Sequence, residues 1–519
     1  MADSFWSLIP PLLAIIMVLL TRRVLISLGV GIIASALFIV QFHVSDAARL
    51  MFGALKGVFI EDGGLNTWNV YIIFFILLLG IITNFVSVMG ATRAFGDWMI
   101  RRVKTRVGAQ IMTIFLGIVL FIDDYFNCLT VGQVARPITD KHRISRAKLA
   151  YIVDSTAAPV CVIAPVSSWG AYILGLIGMV LTTHNIVDYT ELGAFLLMIP
   201  MNFYVWSALG VVFVIALKQA DFGPMKKHEL HAIKTGEVSR SDIKTSGDLE
   251  AGSTSSLGKT SELIVPIIVL FVATIGFIFW TGVRELGAGE KSVIAILGEA
   301  DVSTALFYGG IVAVLTTILF FLRHVAKREL NGSHFFGSIL NGMKAMMPAV
   351  IILVLAWTIS DLIDQLGTGS YLADVVEKSN LPFALLPFII FIIAGLIAFS
   401  TGTSWGAFAL LLPIAGQIAA ATHIELILPM LAAVLAGAVF GDHCSPISDT
   451  TILSATGSNC HHIDHVMTQL PYALVAAGIA GAGYLALGFT ESVWIGLLIV
   501  FVGLGVLYFS LKKPISAEG

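Results

Sequence analysis

Charge is what this chain has least of. Only 12% of its 519 residues are Asp, Glu, Lys or Arg, against 57% hydrophobic; a soluble domain carries about 25% charged residues. That scarcity excludes an ordinary water-soluble surface. The few charges nearly cancel, at −3 overall, so the basic footprint of a nucleic-acid binder is missing. Cysteine is sparse as well: Cys128, Cys161, Cys444 and Cys460 all lie in or beside apolar segments, which argues against a secreted disulfide framework. The opening Met-Ala-Asp-Ser-Phe-Trp lacks the basic start of a cleaved signal, so the first apolar segment is expected to be retained. No Gly-x-x-x-x-Gly-Lys-Ser/Thr run occurs, and any work done has to draw on an ion gradient instead of ATP hydrolysed by this chain.

What is present is a series of roughly 16 apolar segments able to enter or cross a bilayer, given about 20 residues per span. The first set falls near 5–20, 24–42, 69–89, 109–121, 125–139, 149–163, 167–182 and 192–217. The second falls near 263–281, 303–322, 346–365, 383–400, 403–420, 426–440, 468–487 and 493–511. Several are short, with a Gly, Pro or Asp break where a full span would continue. Residues 218–262 are polar, rich in Ser, Thr, Lys and Gly and without helical periodicity, which predicts a flexible cytoplasmic connecting loop. It divides the chain into 1–217, a first transmembrane repeat, and 263–519, a second.

The two halves read alike. Leu79-Gly80-Ile81-Ile82-Thr83-Asn84-Phe85, followed by Gly90 and Asp97, matches Ala356-Trp357-Thr358-Ile359-Ser360-Asp361-Leu362, followed by Gly367 and Asp374. The break at Phe121-Ile122-Asp123-Asp124 falls opposite Phe399-Ser400-Thr401-Gly402, and Pro159, Ser167 and Gly170 fall opposite Pro446, Ser454 and Gly457. Short cytoplasmic loops concentrate Lys and Arg, which places Arg22/Arg23, the basic clusters at 93–106, 141–148, 218–259 and 323–328, and Lys512/Lys513 inside. Segment 5–20 then runs inward and its counterpart 263–281 outward. The expected fold is an all-α polytopic membrane protein of two inverted-topology repeats whose broken or re-entrant helices meet at mid-membrane, an architecture of secondary transporters.

Acids at that depth are the informative residues, because a charge there costs at least ~2.5–3.5 kcal/mol and defaults to a functional reading. Gly441-Asp442-His443-Cys444-Ser445-Pro446-Ile447-Ser448-Asp449-Thr450-Thr451 is flanked on both sides by apolar runs. It offers Asp442, Ser445, Ser448, Asp449, Thr450 and Thr451 as ion or proton ligands, with Asp449 expected to be the buried acid. Asp442 and Asp154 also fit helix caps. The first half offers Asp154, Ser155 and Thr156, with Asp124 and Asn127 beside them. Asp123 and Asp124 point about 100° apart on a helix, so one of the two is expected to be structural. Carboxylates, hydroxyls and freed carbonyls suit a hard cation. A buried carboxylate that holds either a proton or a cation is the simplest physical route to exchange. Trp169 and Trp405, in the similar runs Ser167-Ser168-Trp169-Gly170 and Thr403-Ser404-Trp405-Gly406, fit a gate or ordinary packing. Thr403, Ser404 and His443 are candidates for the same gate or for a proton relay. His461 and His465 have the i, i+4 spacing of a zinc helix but lack its Glu. They read as a cytoplasmic surface loop, and an intramembrane metalloenzyme rests on that spacing alone.

Phe440 through Ser454, then Asp464-His465-Val466 and Thr468-Gln469-Leu470-Pro471-Tyr472, resemble the NhaC-type sodium/proton antiporter family. So do Asp123-Asp124-Tyr125-Phe126-Asn127, Arg136-Pro137-Ile138-Thr139-Asp140 and Asp154-Ser155-Thr156-Ala157-Ala158-Pro159. The resemblance covers about 5–510. It implies a multi-pass protein of the bacterial inner membrane that exchanges Na⁺ for H⁺, needs no cofactor and binds no metal beyond Na⁺. A homodimer is among the assemblies it allows. Relatives that couple exchange to malate and lactate leave a Na⁺-coupled carrier of small organic anions as the alternative, with Arg136 as the nearby cation.

Overall fold

In the computed structural model the described residues are 4–21, 23–61, 63–100, 102–239, 255–287, 296, 299–368, 371 and 382–511. Arg22, Asp374, Lys512 and Lys513 lie outside them. The first half runs α1 (Ile9–Thr21), α2 (Val24–Ile39), α3 (Val44–Phe59), a two-stranded turn pairing Ile60 with Leu65, α4 (Thr67–Val88), α5 (Ala91–Ile100), α6 (Arg106–Val119), α7 (Asp124–Lys141), α8 (Arg146–Cys161), α9 (Ser168–Thr183), α10 (Glu191–Met198) and α11 (Phe203–Lys218). After α12 (Gly223–Thr235) come α13 (Ser261–Leu286), α14 (Val302–Ala326) and α15 (Gly332–Gln365). The chain then forms α16 (Leu386–Thr401), α17 (Ser404–Thr422), α18 (Ile427–Cys444), α19 (Asp449–Gly457), α20 (His462–Thr490) and α21 (Val493–Ser510). Ten helical stretches among the described residues are long and apolar enough to cross a membrane. The expected segment 192–217 is two helices, interrupted around Pro200, and 346–365 is the end of a helix that starts at Gly332.

Four helix interruptions organise the centre. At the first, Asp123 has extended backbone and its carboxylate accepts the Phe126 N–H at 2.9 Å, so α7 starts afresh five residues after α6 ends. At the second, Ser167 caps α9 through the Gly170 N–H at 2.8 Å, just after Pro165. At the third, Gly402 ends α16 with φ +69°. At the fourth, Pro446 cannot donate an amide hydrogen bond and Ser448 caps α19 through Thr451. A Cβ at Gly402 would lie 2.5 Å from the Ile447 carbonyl oxygen. Glycine is therefore required there both by conformation and by the approach of the fourth break.

The segments 109–121 and 125–139, read from the sequence as successive spans, are the two arms of one hairpin. Asn127 folds back onto the carbonyls of Gly117 (2.7 Å) and Leu120 (3.1 Å). At the hairpin's feet, one carboxylate, Glu229, meets both Arg106, at the start of α6, and the Ser145 N–H (2.7 Å), just past α7. The segments 383–400 and 403–420 likewise form a hairpin: Phe383 and His423, at its two feet, stack edge to face 4.4 Å apart. Each hairpin is followed by an interrupted helix, α8/α9 and α18/α19. The two units carry the same latch. Cys161 at the end of α8 reaches the Phe121 carbonyl (3.3 Å), and Ser445 after α18 reaches the Phe399 carbonyl (2.7 Å). This register differs from the sequence pairing. Pro159 lies inside α8 whereas Pro446 lies in the break, so the two prolines are not positional partners.

The connecting segment 218–262 is not simply flexible. Its described parts include α12, docked at the basic end of the bundle. Buried Lys148 contacts Asp221 at 2.7 Å and Glu229 at 3.6 Å, Tyr472 donates to Asp221 at 3.0 Å, and the Arg146 N–H bonds the Val238 carbonyl at 2.9 Å. Ion pairing hid α12 from a periodicity reading: its inward face is led by a carboxylate.

Candidate functional site

The tips of both hairpins and both helix breaks converge. Asp123 on the first tip accepts from Ser168 Oγ at the start of α9 (2.9 Å), and Ser404 on the second tip donates its hydroxyl (2.8 Å) and its amide (3.2 Å) to Asp442 Oδ2 at the end of α18. Asp123 is thus spent on capping, and Asp442 caps the returning helix α17 in place of the helix that follows it. The halves join directly. Tyr125 donates to Asp449 at 3.0 Å, Asn127 reaches the Thr156 carbonyl at 3.4 Å, and Trp169 meets Trp405 at 5.7 Å between ring centroids. Tyr172 further donates to the Trp405 carbonyl at 2.9 Å.

Asp154 lies mid-way along α8, wholly buried, so a capping role is excluded. Its Oδ2 receives Gln469 Nε2 (2.5 Å) and Thr451 (3.2 Å), its Oδ1 receives Ser454 (3.3 Å), and His465 Nε2 stands 3.3 Å away. Gln469 also donates to the His443 carbonyl (2.7 Å), while His443 Nδ1 meets the Tyr204 hydroxyl (3.0 Å). The i, i+4 pair on α20 is therefore His465 with Gln469, both turned inward. The reading of 461–465 as a surface loop is corrected: His462 begins α20 and His465 is buried. Among the described residues no cluster of His, Cys, Asp or Glu is built to hold a metal ion.

Asp449 also departs from expectation. It is the exposed acid of the set, whereas Asp124, Asp154 and Asp442 are all at most 3% exposed. The first turn of α19 faces a cavity of about 680 Å³ whose walls include Asp123, Asp124, Tyr125, Asp449, Thr403 and Trp405. Asp442, Asp154 and His443 lie behind that wall. Asp124 Oδ2 and Asp442 Oδ1 are buried without a well-formed hydrogen bond, as are Asn127 Oδ1 and the Trp169 indole nitrogen; the nearby donors, Trp169 for Asp124 and Ser448 for Asp442, interact with these carboxylates only in poor geometry. Leaving such atoms unmatched costs about 1–3 kcal/mol each, so their arrangement is not explained by folding. The remaining hydroxyls have internal bonds: Thr156 to the Ile152 carbonyl (2.8 Å), Ser445 to Phe399, and Ser448 with Thr450 (2.9 Å). A hydroxyl that donates its hydrogen inward keeps lone pairs for a cation. Ser155 is buried beside Tyr151.

A family model for the Na⁺/H⁺ antiporter family matches residues 160–489. This chain belongs to that family. The antiporter-family chain is 44% identical over 515 residues to an uncharacterized protein of Haemophilus influenzae, covering 99% of this chain and 96% of that one. It is 34% identical over 163 residues to the malate-2H⁺/Na⁺-lactate antiporter of Bacillus subtilis, 29% of this chain and 32% of that one. Among solved structures it shares the fold of the Alcanivorax borkumensis YdaH transporter (TM-score 0.55, 13% identity, 90% of each chain). The Neisseria gonorrhoeae MtrF antimetabolite efflux pump is similar too (TM-score 0.51, 14% identity, 91% of this chain and 86% of that one). The family member is a multi-pass membrane transporter of the secondary type and not an enzyme; its relatives are bacterial, in keeping with an inner-membrane location.

Sequence reasoning missed Tyr125, Ser454 and Gln469, and read His465 into a surface loop. The spacing of His465 and Gln469, on one face of a helix that opens apolar four residues later, is the signal that points to them.

Proposed function

We propose that this transporter exchanges Na⁺ for H⁺ at the junction of its two hairpin tips. One observation carries the reading: Asp124 and Asp442 each keep a buried carboxylate oxygen without a well-formed hydrogen bond, on opposite sides of the same junction. A carboxylate so placed is stabilised either by a proton or by a cation, and the two compete. Asn127 Oδ1 and the hydroxyls of Ser155, Thr156, Ser445, Ser448 and Thr450 supply further oxygen ligands of the hard kind Na⁺ prefers. Asp154, held by Gln469, Thr451 and Ser454 and faced by His465, supplies negative charge behind the site. Two hairpins with like latches, each followed by an interrupted helix, favour the reading of repeats, and inverted repeats permit the junction to open alternately to either side. Trp169 and Trp405, ring against ring, are placed to close it.

Adding NaCl to proteoliposomes that hold a pH gradient tests this. Na⁺-dependent collapse of the gradient is the expected result; a gradient indifferent to Na⁺ overturns it. The organic-anion alternative has the name of the Bacillus subtilis relative in its favour. Against it, Arg23 is the only Lys or Arg on the described wall of the cavity, facing three aspartates, and Arg136 lies more than three helical turns along α7 from the tip.

A further inference from the structure

The cavity is too large for the ions alone. At about 30 Å³ per water, a small cation with half a dozen waters fills roughly a quarter of the 680 Å³ beside Asp124. Cavities of about 300–1,000 Å³ are ordinary sites for organic ligands. The wall here is divided by chemistry. On the hairpin side stand Asp124, Tyr125, Asp449 and Trp405; on the other stand Met346 and Ile352 of α15. Acids alone would not make a site. The second observation is Asp124 Oδ2, which is buried and has no well-formed hydrogen bond on the wall of this space. Tyr125 hydrogen-bonds Asp449 and so fixes that carboxylate at the rim. A bound organic group with a positive head and an apolar body meets a carboxylate, two aromatic rings and an aliphatic wall. Aromatic rings attract such heads by ~0.5–2 kcal/mol each. A dicarboxylate would instead meet three aspartates and a single rim arginine.

We propose that the cavity binds an organic cation, with a quaternary ammonium, amine or guanidinium head at Asp124 and Asp449 and an alkyl body against α15, and that this cation competes with Na⁺ for exchange. The inference rests on the proposed exchange at the hairpin tips and extends its cargo. It requires no new chemistry, because one positive charge replaces another against the outgoing proton.

The test uses full-length protein in proteoliposomes with two permanently charged probes, butyltrimethylammonium and butylguanidinium, beside malate and NaCl. An imposed pH gradient should drive saturable uptake of radiolabelled butyltrimethylammonium. Each probe should raise the apparent KM for Na⁺ about tenfold when present at ten times its own half-saturating concentration, as competition for one site demands. Ala349→Trp, which fills the α15 wall, should lower probe flux more than Na⁺ flux, a ratio that simple misfolding would not change. Robust Na⁺/H⁺ exchange with neither probe uptake nor competition overturns the organic-cation inference and leaves the exchange reading standing. Absence of Na⁺ exchange as well removes both. Competition by malate alone also overturns the inference.

Discussion

The side-chain amide of Gln469 donates to Asp154 Oδ2 at 2.5 Å, joining the two halves of the chain across 315 residues. The same nitrogen bonds the His443 carbonyl at the end of α18. Gln469 thus sets the orientation of the most deeply held acid and ties it to the break that carries Asp442.

Replacing Gln469 by Ala should therefore harm exchange through Asp154. The His443 carbonyl loses its side-chain donor and Asp154 Oδ2 keeps only the weaker bond from Thr451, at a cost of about 1–3 kcal/mol. Vesicle assays are expected to show exchange reduced by about tenfold or more, with Gln469→Glu no better, because it brings a second carboxylate against the first. Full activity in Gln469→Ala would show that Asp154 needs no such support.

At the second hairpin tip, Gly402→Ala should destabilise the protein. Its φ of +69° costs an L-residue about 1–2 kcal/mol, and the new Cβ would press on the Ile447 carbonyl at 2.5 Å. A lowered thermal midpoint of the detergent-solubilised protein is the expected readout, together with reduced exchange.

The docked helix α12 predicts an effect far from the junction. Glu229→Gln removes the carboxylate shared by Arg106, Ser145 and Lys148. Lys148 keeps Asp221, so the loss is about 1–3 kcal/mol and not the larger penalty of a stranded buried charge. Limited proteolysis in membranes should then cut within 218–239 sooner than in the intact protein. Equal protection would mean that α12 is held by something else.

Cys460, in the turn between α19 and α20, is close to the basic end of the bundle yet buried. Burial pushes its thiol up to about 12. At pH 8 only about one molecule in ten thousand carries the thiolate, so N-ethylmaleimide should fail to label it in folded membranes. Labelling should appear on denaturation. Fast labelling of native protein would place this turn in water.

Much of the architecture was legible because bilayer-length apolar runs and Gly, Pro and Asp breaks follow from the cost of lone backbone groups in lipid. The hairpins were not. Segments 109–121 and 125–139 are apolar whether they cross or turn back, and only Asn127 and the contact of Glu229 with both feet distinguish the cases. Asp449 was misjudged because flanking hydroxyls in the sequence say nothing about which face of α19 meets a cavity. Pro159 was matched with Pro446 although their structural settings differ. His465 was read into a surface loop because its neighbours, His461 and His462, are polar and lie at a helix start.

In the proposed exchange Asp124 is a carboxylate that holds H⁺ or Na⁺ but not both. Na⁺ affinity measured by equilibrium binding at a series of pH values tests this most directly. Direct competition predicts that below the site's titration the apparent Kd for Na⁺ rises about tenfold for each pH unit lowered, and that Asp124→Asn removes both the binding and its pH dependence. A Kd that stays constant across the series, or survives unchanged in Asp124→Asn, would contradict it.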